Sequence, residues 1–315
     1  MVARRARRLD PSPRIVQSVT LLLSVPNVSE GRDRPTLDAI GAAFATGARL
    51  LDLHLDPDHH RAVFSLAGRP GTLSDALLGG AREAVARIDL RTDRGQHPHV
   101  GAIDVVPVVH LSEADRGAAC AEALVTADRL ACELRLPVFL YGVLAGGRTR
   151  TQIRRGGVAA LAARMANGEI EPDFGPHRLH PSAGATLVAA RPPLVAFNVE
   201  LAPPSHYGTA REIAAAIREG GREGLPGLRA IAIELHARDR AAQVSMNVED
   251  PYALPLAAVI EAIARHADPA SAEIVGLAPR AALEGFPEEV EIRGFDPARQ
   301  IIENQLAAIA AAPGA

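Results

Sequence analysis

The sequence predicts an α+β protein made of two ferredoxin-like βαββαβ subdomains, with mostly antiparallel sheets and helices on the outer faces. Three observations lead to this fold class. The chain has 315 residues, 48% of them hydrophobic and 23% charged, which is typical of a soluble globular protein of one large or two ordinary domains. Apolar runs and helical spacings follow one another in the order β-α-β-β-α-β. The same order returns in the second half.

In the first half, the pattern predicts a buried strand, a helix, two strands joined by a polar turn, a second helix and a strand rich in Val and Ile. A proline near its first turn supports the start of the first helix. These elements lie at residues 19–25, 35–46, 49–55, 61–67, 72–88 and 103–109.

In the second half, the pattern predicts a strand, a helix, a pair of strands, a helix and a final strand. These elements lie at residues 194–199, 209–219, 228–235, 242–248, 255–267 and 272–277. Two such units in one chain can stack their open sheet faces or flank a cleft between them.

Three more elements join the two units, and a terminal helix follows them. The joining elements are a helix at 112–134, a strand at 138–141 and a helix near 158–166. The chain is then irregular to about residue 182, and its many Pro and Gly residues favour a shaped loop. Residues 297–312 predict an Ala-rich helix capped by Asp296.

The predicted boundaries give an extension and two subdomains. Four arginines and a short apolar stretch mimic a secretory signal at the N-terminus, but no cleavage pattern follows them. We therefore expect residues 1–16 to be a disordered extension, residues 17–190 the N-terminal subdomain, and residues 191–315 the C-terminal subdomain with its terminal helix.

Composition excludes several classes of chemistry. The net charge of -3 gives no electrostatic reason to expect nucleic acid or a membrane as partner. All 34 basic residues are Arg, which rules out a Schiff-base lysine, a pyridoxal phosphate anchor and the lysine of a phosphate loop. The two cysteines, Cys120 and Cys132, are too few for a disulfide framework, and a reducing cytoplasm fits them. No run reaches the ~20 apolar residues of a membrane span.

Side chains able to do chemistry gather first in the turn between the predicted strands at 49–55 and 61–67. The turn carries His54, Asp56, Asp58, His59 and His60. This set could ligate a divalent metal, and residues 58–60 are similar to the signature of the DHH phosphoesterases. A polar turn at the rim of a pocket and a plain surface turn are the alternatives.

Two further loops complete the set of candidates. His97 precedes Pro98 at the entrance of a buried strand, so it could serve as a general base near neutral pH or merely satisfy a loop carbonyl. In the irregular connection, glycines would let a ligand approach the backbone, and hydroxyls offer donors. These residues are Gly175, Gly184, Ser182 and Thr186. An ordinary linker is the alternative there.

Seven strings of residues together resemble the glutamate formimidoyltransferase (formiminotransferase) family. They are VPNVSEG at 25–31, HPHVGAIDVVPVV at 97–109, PVFLYG at 137–142, PDFGP at 172–176, GAT at 184–186, LVAFNV at 194–199 and AQVSMN at 242–247. They occur in the family's order and cover roughly residues 20–285. The resemblance implies an N-terminal and a C-terminal subdomain with a folate site between them, and no cyclodeaminase domain in this chain.

The resemblance also implies a reaction, the transfer of a formimino group from N-formimino-L-glutamate to N5 of tetrahydrofolate in histidine degradation. It makes His97 the catalytic histidine and places residues 175–184, including Pro176, in the folate-binding stretch. One imidazole could take the proton from N5 and give one to the departing glutamate nitrogen. Tetrahydrofolate would be a co-substrate, and no tightly bound cofactor or metal would be needed.

Further residues could hold the two substrates. Both substrates carry carboxylates, so Arg61 is the first candidate for a guanidinium clamp. Five other side chains could orient polar groups of the ligands, namely Asn27, Ser29, Glu30, Asn198 and Asn247. We expect His97, Arg61 and the 175–184 loop to surround one cleft.

Three positions depart from the family's pattern. His54 stands where the family has an Asp that could orient the catalytic imidazole. Val28 replaces a common aromatic, and Ala183 replaces a Trp that could stack on the pterin. We therefore retain three alternative functions. They are a folate-binding protein without turnover, a 5-formyltetrahydrofolate cyclo-ligase-like enzyme, and a metal-dependent hydrolase built on residues 56–60. Whichever function holds, we expect a cytoplasmic homodimer.

Overall fold

A computed structural model describes residues 20–57, 59–92, 99–235 and 240–311 of the chain. They form two β-sheets, each with helices packed against it. The predicted α+β character is therefore confirmed. The predicted N-terminal extension, residues 1–16, lies outside the described residues.

The first sheet is built from seven strands of the first 191 residues. They are β1 (Leu22–Ser24), β2 (Asn27–Val28), β3 (Arg49–Asp56), β4 (Arg61–Gly68), β5 (Ile103–Val109), β6 (Val138–Leu140) and β7 (Thr186–Arg191). Strands β1 and β2 both pair with β4 and β5, and Pro26, which lacks an N–H donor, lies between them. The resulting order across the sheet is β3, β4, β1 with β2, β5, β7 and β6.

Helices cover both faces of this sheet. The helices α1 (Arg34–Phe44), α2 (Leu73–Arg87) and α3 (Arg116–Leu134) share one apolar core with the strands, with Phe44 and Phe64 fully buried in it. On the other face, α4 (Arg150–Arg154) and α5 (Gly157–Ala166) pack Ile153 and Leu161 over a smaller core. Apolar side chains cover only part of that second face. The candidate site lies at its polar part.

The second sheet contains β8 (Val195–Leu201), β9 (Leu228–Leu235), β10 (Ala241–Val248) and β11 (Pro269–Val275). Its order is β11, β8, β10, β9, and all its pairs are antiparallel. The helices α6 (Tyr207–Ile217) and α7 (Leu256–Ala264) pack on one face, where every second side chain of the strands is apolar. The short helices α8 (Pro297–Gln300) and α9 (Ile302–Ala310) follow.

The open face of the second sheet is polar. Because directly opposed residues of paired strands share a face, the register places one set of side chains together. This set is Asn198, Glu200, Gln243, Ser245, Asn247, Ser271 and Glu273. We call it the polar face.

The two sheets meet through their open faces. At one end Leu23, Ala67 and Val109 pack on Leu277 and Ile302. At the other end the contact is polar, with His54 Nε2 lying 3.8 Å from Glu273 Oε1. The second sheet therefore brings its polar face toward β3 and β4.

Most strand pairs are antiparallel, as predicted, and the exceptions lie at one edge of the first sheet, where β7 runs parallel to both β5 and β6. One expectation needs correction. The predicted single helix at 297–312 is broken at Ile301, which is extended and bridges Ala278, so the tertiary contact outweighs local helix propensity. Asp296 caps the first piece through the N–H of Ala298, 2.9 Å away, as predicted. Within the described ranges, none of the helices has the length and apolar character needed to cross a bilayer.

Candidate active site

A narrow crevice opens where β2, β4 and β5 come together. It forms because β2 pairs with both neighbours and brings the start of β4 beside the start of β5. Its enclosed part has about 10 Å³, the room of roughly one water molecule, within about 240 Å³ of empty space that reaches solvent. Its lining consists of Asn27, Val28, Ser29, His59, His60, Arg61, His99 and Asp104.

A buried carboxylate lies behind the crevice and contacts an imidazole, His59, that lines it. Asp56 is 7% exposed and His59 is 3% exposed. The carboxylate accepts a hydrogen bond from the His59 backbone N–H at 2.9 Å, and its second oxygen pairs closely with His59 Nδ1. Burial opposes ionisation of Asp56, but the hydrogen bonds and charges of His59 and Arg61 outweigh it and lower its pKa to about 2. The pair is thus a carboxylate that orients an imidazole.

Arg61 connects this pair to the second sheet. Its Nε lies 3.5 Å from Asp56 Oδ2, and the charge of Glu273 also acts on it. Burial nevertheless lowers the pKa of Arg61, with the like charge of Arg154 adding to the effect. The guanidinium is therefore held within the protein between opposite charges.

The entrance to β5 is fixed by three hydrogen bonds. Asp104 Oδ1 accepts from the Val100 N–H at 2.7 Å, and its other oxygen pairs with Arg154 Nη2. Ser29 Oγ donates to the Gly101 carbonyl at 2.8 Å. These contacts set the position of residues 99–102, directly after the predicted catalytic His97. His97 itself, with Pro98, lies outside the described residues.

Glu273 joins the halves of the protein. One oxygen lies 3.8 Å from His54 Nε2, and the other accepts from Asn198 Nδ2 at 3.1 Å. Asn247 shares the polar face but lies one strand further, on β10. His54, where the resemblance implies an Asp, therefore faces a carboxylate from the second sheet.

The predicted ligand-binding residues of the loop before β7 contact backbone groups of neighbouring segments. A Cβ on Gly175 would lie 2.3 Å from the Leu136 carbonyl oxygen, and a Cβ on Gly184 would lie 2.1 Å from the Val100 carbonyl oxygen. Thr186 is fully buried and donates from Oγ1 to the Ile103 carbonyl at 2.8 Å. Ser182 accepts from the Leu90 N–H at 2.8 Å through its carbonyl. Glycine is required there because backbones approach each other closely.

The structure gathers some of the predicted residues and separates others. Asn27, Ser29 and Arg61 line the crevice. Glu30 lies just outside it, with Oε1 at 3.5 Å from His60 Nδ1. Gly184 packs against Val100, just before β5, whereas Gly175 and Pro176 follow Phe174, which bridges β6 two strands away.

Two side chains that the sequence analysis did not single out belong to the site, Asp104 and Arg154. A signal for Asp104 existed, because an Asp within the Val- and Ile-rich run 103–109 must find a partner when buried. Its partner could not be known from the sequence, since Arg154 lies 50 residues further along the chain.

Two positions at which the sequence analysis expects a departure from the family's pattern are buried. Val28 and Ala183 are each 1% exposed and belong to the core beneath α1 to α3. A larger ring at either position would have to be accommodated by this core. Both side chains are therefore part of the apolar core, and Val28 also contributes to the lining of the crevice.

Metal ligation was one alternative for the turn at residues 56–60. Over the described parts of the chain, no three His, Cys, Asp or Glu side chains come together as a ligand set. Asp58, which that alternative includes, lies outside these parts.

Comparison with known proteins places the chain in a family. Residues 21–191 match the model described as "Formiminotransferase domain, N-terminal subdomain". The chain is 33% identical to glutamate formimidoyltransferase of Streptococcus pyogenes serotype M1, covering 90% of this chain and 97% of that protein. Against the protein of the same name from Thermoplasma acidophilum, identity is 32%, covering 88% and 95%. The chain belongs to the formiminotransferase family.

A third relative is longer. The formimidoyltransferase-cyclodeaminase of Sus scrofa is 38% identical over 280 residues, which are 84% of this chain and 51% of that protein. The chain thus spans about half the length of this relative and nearly all of the first two.

Proposed function

We propose that this protein transfers a formimino group from N-formimino-L-glutamate to N5 of tetrahydrofolate. Relatives named glutamate formimidoyltransferase match it over 97% and 95% of their own lengths, which supports the assignment of the same activity. Tetrahydrofolate is consumed as the acceptor, so no tightly held cofactor is required. A cytoplasmic location and a homodimer remain part of the proposal.

One observation carries the proposal: largely buried polar side chains of both sheets meet beside the crevice. They extend from Arg61, which lines the crevice, to Glu273 and Asn198 of the second sheet. A reaction between two polar substrates needs donors and acceptors on both sides of the reacting atoms. Polar groups from two sheets supply this, while the apolar contacts around Leu277 hold the sheets together.

The chemistry assigns a role to each part. N5 loses a proton as it attacks the amidine carbon, and the glutamate nitrogen gains one as it leaves. We assign both transfers to His97, which precedes the fixed entrance of β5. Asn27, Ser29 and Arg61 are assigned to the crevice side of the substrates, and Asn198 and Asn247 to the polar face. Glu30, His54 and the 175–184 loop complete the proposed contacts.

The domain organisation is proposed to follow the same division. We infer two ferredoxin-like subdomains, residues 17–190 and 191–315. The strand orders support this, since β3-β4-β1/β2-β5 and β9-β10-β8-β11 have the same connectivity and the same antiparallel pairing. The parallel strands β6 and β7 are then additions to the first unit.

The test is a steady-state assay with formiminoglutamate and tetrahydrofolate, in which the product is identified by absorbance and mass. His97→Ala is expected to lower kcat by about 10²- to 10⁴-fold, the usual contribution of positioned proton transfer. His266→Ala is the matched control, because His266 lies on the surface and pairs with Glu223. It should retain wild-type kcat.

Two outcomes would separate the rival functions. Binding of tetrahydrofolate without turnover, unchanged by His97→Ala, would replace the transferase with a folate-binding protein. Turnover of 5-formyltetrahydrofolate with ATP, and none with formiminoglutamate, would favour the cyclo-ligase-like alternative.

A further inference from the structure

The carboxylate of Glu273 lies where the two sheets meet. One of its oxygens, Oε2, accepts a hydrogen bond from Asn198 Nδ2 at 3.1 Å. The other oxygen, Oε1, accepts no hydrogen bond within the described ranges, because His54 Nε2, which it faces, is 3.8 Å away. The Glu273 side chain keeps 21% of its surface exposed, so a small ligand between the sheets can reach it.

The ring of His54 also leaves a nitrogen unsatisfied beside this carboxylate. His54 Nε2 is buried and has no hydrogen-bond partner among the residues that the structure describes. A neutral imidazole that carries its hydrogen on Nδ1 accepts through Nε2, as a carboxylate oxygen does. A ligand nitrogen with two hydrogens could therefore donate to His54 and to Glu273 at the same time.

The other acidic side chains at the crevice already have partners. Asp56 pairs with His59, and Asp104 pairs with Arg154. Glu30 Oε1 accepts two backbone N–H groups, at 2.7 and 3.0 Å. Among the described residues, a cationic ligand at this junction would therefore find its open acceptor on the second sheet.

The group that the proposed reaction transfers is cationic. A formimino group attached to an amine is an amidine, a strong base that is protonated near neutral pH, and two nitrogens in one plane share its positive charge. Its terminal nitrogen carries two hydrogens in this form. A formyl group has the same shape but presents a neutral oxygen, which can only accept, in place of this nitrogen.

We propose that Glu273 binds the terminal nitrogen of the formimino group and thereby selects a formimino donor over a formyl donor. This inference rests on the proposed function and adds to it a residue that recognises the transferred group itself. The planar cation matches the carboxylate as a guanidinium does, and the second hydrogen of the same nitrogen bonds to His54 Nε2. A formyl oxygen in the same place would face two acceptors, which disfavours it.

The contact can be kept throughout the reaction. The bond between the formimino carbon and the glutamate nitrogen breaks, the bond from this carbon to N5 forms, and the terminal nitrogen stays on the carbon. N5 loses its proton and the glutamate nitrogen gains one at other atoms, so Glu273 remains ionised. The donor and the product therefore present the same cation to the same carboxylate.

The position of Glu273 fits a reaction beside the crevice. His54 lies opposite Val63 of β4, and Asn27 lies opposite Val63 on its other side. Two strand spacings of roughly 4.8 Å separate His54 from Asn27 by about 10 Å. Because Asn27 lines the crevice, the reacting carbon can be held by Glu273 while the rest of the substrates extends over the crevice.

The experiment compares two ligands of equal length on the full chain with saturating tetrahydrofolate. N-formimino-L-glutamate is the substrate, and N-formyl-L-glutamate is a competitive inhibitor against it. Glu273→Gln is expected to raise KM for formiminoglutamate by about tenfold to a hundredfold, the range of a charge-assisted hydrogen bond. The inhibition constant of formylglutamate should stay the same or fall, because the amide of Gln can donate to the formyl oxygen.

The variants are chosen to separate binding from folding. Glu273→Gln keeps the shape of the side chain and an oxygen that can accept from Asn198, and Glu273→Asp keeps the charge on a shorter side chain. Glu273→Asp should give a KM between those of the wild type and Glu273→Gln. Glu249→Gln is the matched control, because Glu249 follows the neighbouring strand β10 and pairs with Arg229 at 3.2 Å. It should leave both constants as in the wild type.

Three results would overturn the inference. If both constants rise together in Glu273→Gln, Glu273 only holds the sheets in place and selects no donor. If KM for formiminoglutamate changes less than about twofold in Glu273→Gln while the wild type turns over, Glu273 does not bind the transferred group, but the proposed function stands. If the wild type shows no turnover of formiminoglutamate, the function itself is refuted and the role of Glu273 with it.

Discussion

The hydrogen-bonded pair of Asp56 and His59 should make a measurable, pH-dependent contribution to stability. The change to test is Asp56→Asn, which keeps the shape of the side chain and removes its charge. The pKa of Asp56 falls from 3.8 to about 2 in the folded protein because the His59 and Arg61 interactions outweigh the effect of burial. At ~1.36 kcal/mol per pKa unit, this difference corresponds to about 2 kcal/mol in favour of folding.

The sign of the pH dependence follows from the lowered pKa. A carboxyl group with a folded-state pKa below its unfolded value stabilises the protein fully above that unfolded value. The contribution declines as the pH falls through the folded-state value. The difference in free energy of unfolding between wild type and Asp56→Asn should therefore be about 2 kcal/mol at pH 7 and mostly vanish between pH 4 and pH 2.

The assay is urea unfolding at a series of pH values in low salt. Asp38→Asn is the control, because Asp38 pairs with Arg34 on the surface with 53% of its side chain exposed. Its effect should stay within about 0.5 kcal/mol at every pH. A difference for Asp56→Asn that is as large at pH 2 as at pH 7, or that matches the control, would refute the role given to this pair.

Two further predictions concern the framework of the site. Gly184→Ala should destabilise the protein by about 2 kcal/mol or more, since the φ of Gly184 is +69° and the new Cβ would lie 2.1 Å from the Val100 carbonyl oxygen. Thermal unfolding measures this loss, and Gly117→Ala is the control because its added Cβ meets nothing within 4 Å. Equal melting temperatures of the two variants would contradict the prediction. Thr186→Val should cost about 1–3 kcal/mol because the Ile103 carbonyl loses its 2.8 Å hydrogen bond inside the core. Chemical denaturation would show it, and an unchanged midpoint would mean that the bond contributes nothing.

Sequence periodicity predicted most elements because burial imposes it locally. The run at 61–67 became β4 (Arg61–Gly68) and the run at 103–109 became β5 with the same bounds. Each strand alternates or is apolar throughout, depending on whether one or both of its faces are covered. The helix α2 likewise lies within one residue of its predicted ends.

Contacts between distant elements could not be derived from local patterns, either in the framework or at the site. In the framework, Glu122 of α3 accepts hydrogen bonds at 2.6 Å from the backbone N–H groups of Gly71 and Ser74 at the start of α2. The turn at residues 56–60 read as polar and suited to a rim, yet His59 is almost fully buried there. Its burial depends on its contact with Asp56 and on the walls of the crevice. The crevice forms only when β2 lies between β4 and β5.

The amino-acid sequence alone determined most of the order of helices and strands, the repeated unit and the resemblance to the formiminotransferase family, since each depends on neighbouring residues or on strings that lie within one element. It did not predict the strands β2 and β7. The tertiary structure decided which charges meet. Arg154 reaches Asp104, Glu273 faces His54, and Arg150 stands beside Arg191. These side chains come from separate elements, so their partners follow from strand order and sheet contact. The partners of these charged side chains can therefore be identified only from the folded structure.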